Sequence, residues 1–177
     1  MITDTLAQPR IGPAVIALVS LGALATALVA QYAFDLHPCV LCVYQRVPYV
    51  VALALGLAGV LVARPPGLQR LLILGSGLAF LVGAGIAGFH VGVEQHWWAG
   101  TASCNAPALD MNLSMAELQR QLDEAASFAA CDEVPWSLFG ISMAGYNAAI
   151  SLLLAAACLG TAAKMRGSTA AKAPRPA

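Results

Sequence analysis

Charge is what this chain has least of. Of its 177 residues only 10% are Asp, Glu, Lys or Arg, against roughly 25% in an ordinary soluble domain. Nine basic and nine acidic residues cancel, so no basic surface draws phosphate, and nucleic acid is excluded as a partner. No glycine-rich phosphate loop or dinucleotide fingerprint occurs, which removes nucleotide chemistry. The haem-attachment signature is missing, because Cys42 is followed by Val43 and not by histidine. The four-cysteine spacing of an iron–sulfur cluster is missing too.

In place of charge the chain is 59% hydrophobic. Four runs lack any Asp, Glu, Lys or Arg: between Arg10 and Asp35, Arg46 and Arg64, Arg70 and Glu94, and Glu133 and Lys164. Each can supply the roughly 17–25 residues that cross a hydrocarbon core of about 30 Å. A backbone in lipid must satisfy its own hydrogen bonds, so these runs are helices. A soluble bundle could not absorb so much apolar surface. The pattern predicts an all-α membrane protein, one integral-membrane domain over residues 1–177. Its four-transmembrane-helix bundle has spans at about 11–34, 40–63, 68–93 and 138–163. The first run is longer than a signal-peptide core and three more spans follow, so it reads as an uncleaved helix.

Basic residues set the orientation. Arg10, then Arg64 and Arg70, then Lys164, Arg166, Lys172 and Arg175 fall on segments that share one side of a four-span protein. That side is expected to be the cytoplasm, with both termini and a tail over 164–177. The opposite side receives the short connection before Cys39 and a long one over about 97–136. In the long connection Ser114 and Glu117 form a capping-box pattern, and Met115, Leu118 and Leu122 fall on one face. A short amphipathic surface helix is expected there, lying on the membrane or packed on the protein. Gly22, Thr26 and Ala30, and again Ala84, Gly88 and Gly92, repeat at intervals of four as stripes for close helix contact. Trp97 and Trp98 read as interface anchors.

Four of the five cysteines fall on the outer side, where disulfides persist. The fifth, Cys158, reads as a small buried hydrophobe. Cys39-Val40-Leu41-Cys42 is a dithiol at the spacing that closes a small redox ring, with a thiolate as the attacking species. Pro38 can open a helix whose N-terminus would favour that thiolate. Pro48 would then cost the bond to the Tyr44 carbonyl, so a kink is expected, or a membrane helix that begins only near Val47. Arg46 follows Cys42 by one helical turn and would share its face. A guanidinium at a membrane edge needs a partner: a thiolate, the oxygen of a redox cofactor, or a headgroup reached by snorkelling. Cys104 and Cys131 are the second pair, either a redox partner of the first or a static cross-link. Two dithiols on one side suggest a two-electron flow, and a lipid-soluble quinone reaches the rim of such a bundle without any sequence motif. The competing chemistry is metal binding by these cysteines with His37, His90 and His96, although only one pair has the Cys-x-x-Cys spacing.

Three features together resemble the DsbB family, the quinone-dependent disulfide-generating proteins of the bacterial inner membrane. They are Cys39-Val40-Leu41-Cys42-Val43-Tyr44-Gln45-Arg46 after the first span, Cys104 and Cys131 in the outer loop, and Phe139-Gly140-Ile141-Ser142-Met143-Ala144 opening the last span. The likeness covers about residues 11–163. Vitamin K epoxide reductase-like proteins are also four-helix thiol enzymes, but their Cys-x-x-Cys lies late in the bundle. The resemblance implies a relay. A soluble periplasmic DsbA-like thiol oxidant, in its reduced form, would attack the Cys104–Cys131 disulfide at Cys104. Cys131 would attack Cys39, and Cys42 would be released as a thiolate beside ubiquinone or menaquinone. Arg46 would stabilise that thiolate and the quinone oxygen. The resemblance also implies a residue from the start of the outer loop near the quinone. His90 and Glu94 are the candidates taken here, with Gln95 and His96 not separated from them by spacing.

Overall fold

A computed structural model of the chain describes residues 8, 10–62, 65–104, 114–126 and 129–171. Four of its helices are long and apolar enough to cross a membrane. They are α1 (Ile11–Ala33), α2 (Val40–Val62), α3 (Pro66–Glu94) and α5 (Met143–Ala171). A short helix, α4 (Met115–Ala126), lies in the connection between α3 and α5, after a 3-10 turn at Ala102–Cys104. The chain is a multi-pass, mostly helical membrane bundle, as its charge-free runs require.

The helices pack as a row folded on itself. α2 lies between α1 and α3, and α3 packs along α5, whereas α1 and α5 make no extended contact among the described residues. Ile16, Tyr49, Ala52, Ile73, Phe80, Ala155, Cys158 and Ala162 form the core that joins all four. Tyr49 meets Phe80 edge-on at 5.7 Å between ring centres. Cys158 is one of these buried apolar side chains. Leu61 and Leu153 point away from the protein, as side chains do that face acyl chains.

Several boundaries differ from the sequence expectation. α2 runs unbroken from Val40 through Pro48, so the reading in which it begins near Val47 is wrong. The missing Pro48 N–H costs one hydrogen bond, and the ring is buried where a Cβ on Gly83 of α3 would stand only 3.2 Å away. The last span starts at Met143 rather than near Leu138. Ser137–Leu138 (β1) and Ile141–Ser142 (β2) first pair as an antiparallel hairpin around Phe139 and Gly140. Both turn residues have positive φ, 51° and 76°, as the tight turn that suits strand twist requires. Ser142 then caps α5, its Oγ accepting the Gly145 N–H at 3.1 Å. In α4, Ser114 Oγ accepts the Glu117 N–H, while the Glu117 carboxylate turns to Arg120; Met115 is exposed.

The stripes of small residues are not where the helices meet most closely. A Cβ on Gly22 or Gly88 would meet nothing within 4 Å, and one on Gly92 would strike the ring of Trp98. The close approaches are at Gly56 and Gly59, which admit α1, and at Gly77, which admits Cys158 and Leu159. A repeat of four marks a face of a helix but not the neighbour that covers it. At Gly56 a Cβ would lie 2.8 Å from the backbone nitrogen of Ala17 and the carbonyl oxygen of Pro13, atoms that cannot yield without moving α1. Gly56→Ala is therefore expected to destabilise the protein by about 1–3 kcal/mol. Gly85→Ala, whose Cβ enters open space, is expected to leave stability unchanged or raise it by up to about 1 kcal/mol. Thermal unfolding of both variants in detergent checks this pair, and equal losses would refute it.

Candidate active site

The site is built on the first turn of α2. The Cys39 carbonyl accepts the Val43 N–H at 3.1 Å, so Cys39 is the residue that caps the helix. Its sulfur takes the position a capping oxygen normally holds, with the Cys42 N–H aimed at it from 3.3 Å. Cys42 stands one turn on, its sulfur 2.9 Å from that of Cys39. The hydrogen bond from the Cys42 thiol is the largest influence on Cys39 and lowers its pKa from 9.0 to about 4; burial opposes this, and His90 and the Cys42 N–H add to the lowering. The exposed N–H groups of a helix terminus favour the same thiolate.

The connection between α3 and α5 folds back onto this turn. α3 closes with the His96 N–H on the Val93 carbonyl and the Trp97 N–H on the Gly92 carbonyl, His96 taking a positive φ of 57°. This helix-ending motif reverses the chain. Trp98 then folds back along α3, its indole N–H donating to the Phe89 carbonyl at 3.0 Å. Gly100 leaves room for Cys104, which a Cβ there would meet at 2.8 Å. Cys104 and Cys131 form a disulfide. That disulfide is buried in one apolar cluster with Cys39, Leu41 and Val93, and Cys42 packs at its edge. Residues separated by most of the chain thus bring both dithiol pairs to one end of the bundle.

His90 links them. Its Nε2 lies 3.1 Å from the Cys131 carbonyl oxygen and 3.5 Å from the Cys39 sulfur. Its Nδ1 lies 2.8 Å from Gln45 Nε2. The Gln45 carbonyl oxygen accepts from the Asn147 amide, and Asn147 Oδ1 accepts from the Tyr49 hydroxyl at 2.7 Å. With the amides so oriented, Gln45 donates to Nδ1 and the proton of a neutral His90 sits on Nε2, aimed at the Cys131 carbonyl and the Cys39 sulfur.

Beside this network a cavity of about 480 Å³ opens between α1 and α5. Ala23, Ala27 and Ala30 of α1 and Ile150 of α5 give it apolar walls. Cys42, Gln45, Arg46, Tyr49, His90 and Asn147 bring polar groups to the same space, and Trp136 and Leu138 close one rim. Arg46 reaches across to α1, donating to Gln31 Oε1 at 2.8 Å. Its partner among the described residues is this neutral amide, not a thiolate. An apolar slot with a thiol, a guanidinium and an imidazole at one end suits a hydrophobic ring that bears carbonyl oxygens.

The residues singled out in the sequence divide accordingly. Cys39, Cys104 and Cys131 share the buried cluster, and Cys42, Arg46 and His90 line the cavity. Glu94 does not line it. Its carboxylate is buried and accepts from the Ser142 hydroxyl, so it fastens the end of α3 to the cap of α5, 3.9 Å from His90 Nε2. Gln95 and His96 are exposed, and His96 faces Asp132 at 3.8 Å.

Comparison with known proteins agrees with this architecture. The family model described as disulfide bond formation protein DsbB matches residues 9–161. This chain belongs to the DsbB family. Its relatives include an uncharacterised protein of Rickettsia prowazekii, 28% identical over 141 residues, 79% of this chain and 80% of that protein. Disulfide bond formation protein B of a Psychrobacter species is 33% identical over 110 residues, 61% of this chain and 64% of that protein. Disulfide bond formation protein B 2 of Pseudomonas savastanoi is 35% identical over 124 residues, 67% of each chain.

Sequence reasoning missed Gln31, Tyr49 and Asn147, which support this DsbB site, and gave no role to Gln45 and Ser142, which lie within the motifs that carry the resemblance. A signal was present, since each is an uncharged polar side chain within or at the edge of an apolar run, where a hydrogen-bonding group needs an internal partner. The capping geometry of this DsbB chain gives a direct expectation. A thiolate held at about 4 against an ordinary 9.0 stabilises the fold fully above 9.0, and that stability is lost as pH falls from there through about 4. In the reduced protein the thiolate ultraviolet absorbance of Cys39 is expected to persist into mildly acidic solution. Cys42→Ala, which removes the largest cause, is expected to move its midpoint up by several units. A midpoint that stays put on that substitution would disprove the assignment.

Proposed function

We propose that this protein is a membrane thiol–disulfide oxidoreductase that reoxidises a soluble, thioredoxin-like, DsbA-like disulfide donor and delivers two electrons to ubiquinone or menaquinone. In this reading it lies in the bacterial inner membrane with the cysteine end in the periplasm and both termini in the cytoplasm. One observation carries it. Cys39 belongs to the buried cluster that holds the Cys104–Cys131 disulfide, while Cys42 lies on the wall of an apolar cavity. A single turn of helix thereby joins a place where protein disulfides exchange to a place a lipid-borne oxidant can reach.

The chemistry follows from these positions. A thiolate of the reduced donor attacks Cys104, and the electron pair of the broken bond goes to Cys131. Cys131 attacks Cys39 of an oxidised Cys39–Cys42 pair, and Cys42 leaves as the thiolate. The donor's second thiol displaces Cys104, which closes again on Cys131 and releases Cys39. One disulfide has formed on the donor, and one dithiol remains at Cys39–Cys42. The low pKa of Cys39 makes it a ready leaving group in the last exchange. His90 is placed to hold or pass a proton at the Cys39 sulfur. Cys42, Arg46 and His90 are the groups that would hold a quinone, which when bound supplies an acceptor for two electrons and two protons.

A metal site is the second reading, favoured by one observation: the ligand atoms of Cys39, Cys42 and His90 all lie within 4.8 Å of one another. Against it, the Gln45–Asn147 orientation leaves the Nε2 lone pair unavailable, because that nitrogen bears the proton. Metal analysis of purified protein beside extraction of bound quinone separates the readings, and stoichiometric zinc or copper without quinone would reverse the order.

Two substitutions test the relay. Arg46→Met removes a charged donor worth about 1.5–3 kcal/mol, so the KM for quinone is expected to rise roughly 10- to 100-fold while thiol exchange at Cys104 continues. Cys42→Ser is expected to let the donor form its mixed disulfide with Cys104 yet abolish quinone reduction. Quinone reduction by donor in the Cys42→Ser protein at the wild-type rate would end this proposal.

A further inference from the structure

The hairpin before α5 displays Phe139 at its tip, 90% exposed, more than any other large hydrophobic side chain among the described residues. Its backbone is in the left-handed region at φ 51°, which a bulky residue rarely adopts. Asparagine or aspartate before glycine suits such a turn far better. An aromatic ring kept on a strained, fully displayed tip points to something outside the protein that receives it.

The depth of the hairpin identifies what that is. The hairpin does not project beyond α5 but lies along its first turns. The Leu138 carbonyl accepts from the Tyr146 hydroxyl at 3.0 Å. The Trp136 ring lies 6.5 Å from that of Tyr146. Ile141 lies over Gly145, where an added Cβ would meet its side chain at 2.8 Å. Tyr146 and Gly145 belong to a helix that is long and apolar enough to cross the membrane, so the hairpin sits at the level where that span begins. No charged residue occurs from Val134 to Ala163, and β1 and β2 pair with each other. Paired strands reduce the backbone groups left to be hydrated at that depth. Trp136 and Leu138 line the cavity, whereas Phe139 does not.

We infer that Phe139 inserts into the boundary between headgroups and acyl chains and anchors the hairpin in the bilayer, so that the lipid itself holds this rim of the cavity in place. Aromatic side chains favour that boundary. The span that follows also carries exposed apolar side chains, such as Leu152 and Leu153. A soluble protein docking on the tip is the alternative occupant.

The test is photochemical and independent of electron transfer. The full chain carrying p-benzoylphenylalanine in place of Phe139 is reconstituted in vesicles of phosphatidylethanolamine and phosphatidylglycerol, with the reduced soluble donor present, and irradiated. A second protein carries the same group in place of Glu133, an exposed acidic residue on the loop side of the hairpin. Mass spectrometry is expected to find an increase equal to one phospholipid at position 139 and none at 133. Equal lipid labelling at both positions, no lipid adduct at 139, or attachment at 139 to the donor alone would each overturn the inference. A thermal unfolding midpoint of the substituted protein equal to that of the unsubstituted one, measured before donor is added, confirms its fold. Since no quinone is reduced in this experiment, its outcome is separate from that of the proposed activity.

Discussion

A polar group at membrane depth must find its hydrogen-bond partner inside the protein, and the site of this chain is organised by that constraint. His90 on α3, Gln45 and Tyr49 on α2, and Asn147 and Ser151 on α5 satisfy one another in a continuous chain. Each bond joins different helices or, at its end, successive turns of α5. Removing Gln45 would strand the His90 Nδ1 and the Asn147 amide, and a stranded buried group costs about 1–3 kcal/mol. The network therefore fixes the relative positions of three helices and the tautomer of the imidazole that touches the Cys39 sulfur.

The same first turn of α2 gives two chemically similar thiols different surroundings. Cys39 occupies the capping position, among buried side chains and facing helix N–H groups. Cys42 is one turn further along and faces the cavity. Sequence spacing makes them a pair, but the helix terminus makes them unequal. The asymmetry comes from the helix terminus together with His90 and the buried Cys104–Cys131 cluster on one side and the cavity on the other.

Much of this was legible in the chain. Four charge-free runs announced four spans, and the Cys39–Cys42 spacing announced two thiols on one helical turn. What could not be read follows from the same physics. Counting charges locates spans but ignores Gln31, Tyr49 and Asn147, which lie in apolar runs and decide where the helices face. The stripes at Gly22 and Gly88 predict contact surfaces, yet a small residue facing open space looks the same in sequence as one facing a helix. The charge-free run includes Leu138, and so few apolar residues do not separate a strand from a helix start; only the Phe139–Gly140 turn does. Glu94 and His90 are one helical turn apart, and spacing could not tell the residue on the cavity wall from the one that fastens Ser142.

That α1 and α5 make no extended contact among the described residues has a consequence for traffic. A molecule with a long hydrocarbon tail can leave that tail among the acyl chains while only its head passes between the two helices. No span has to unpack for one such molecule to replace another. Exchange of such a molecule at this slot would then follow lateral diffusion in the bilayer sheet.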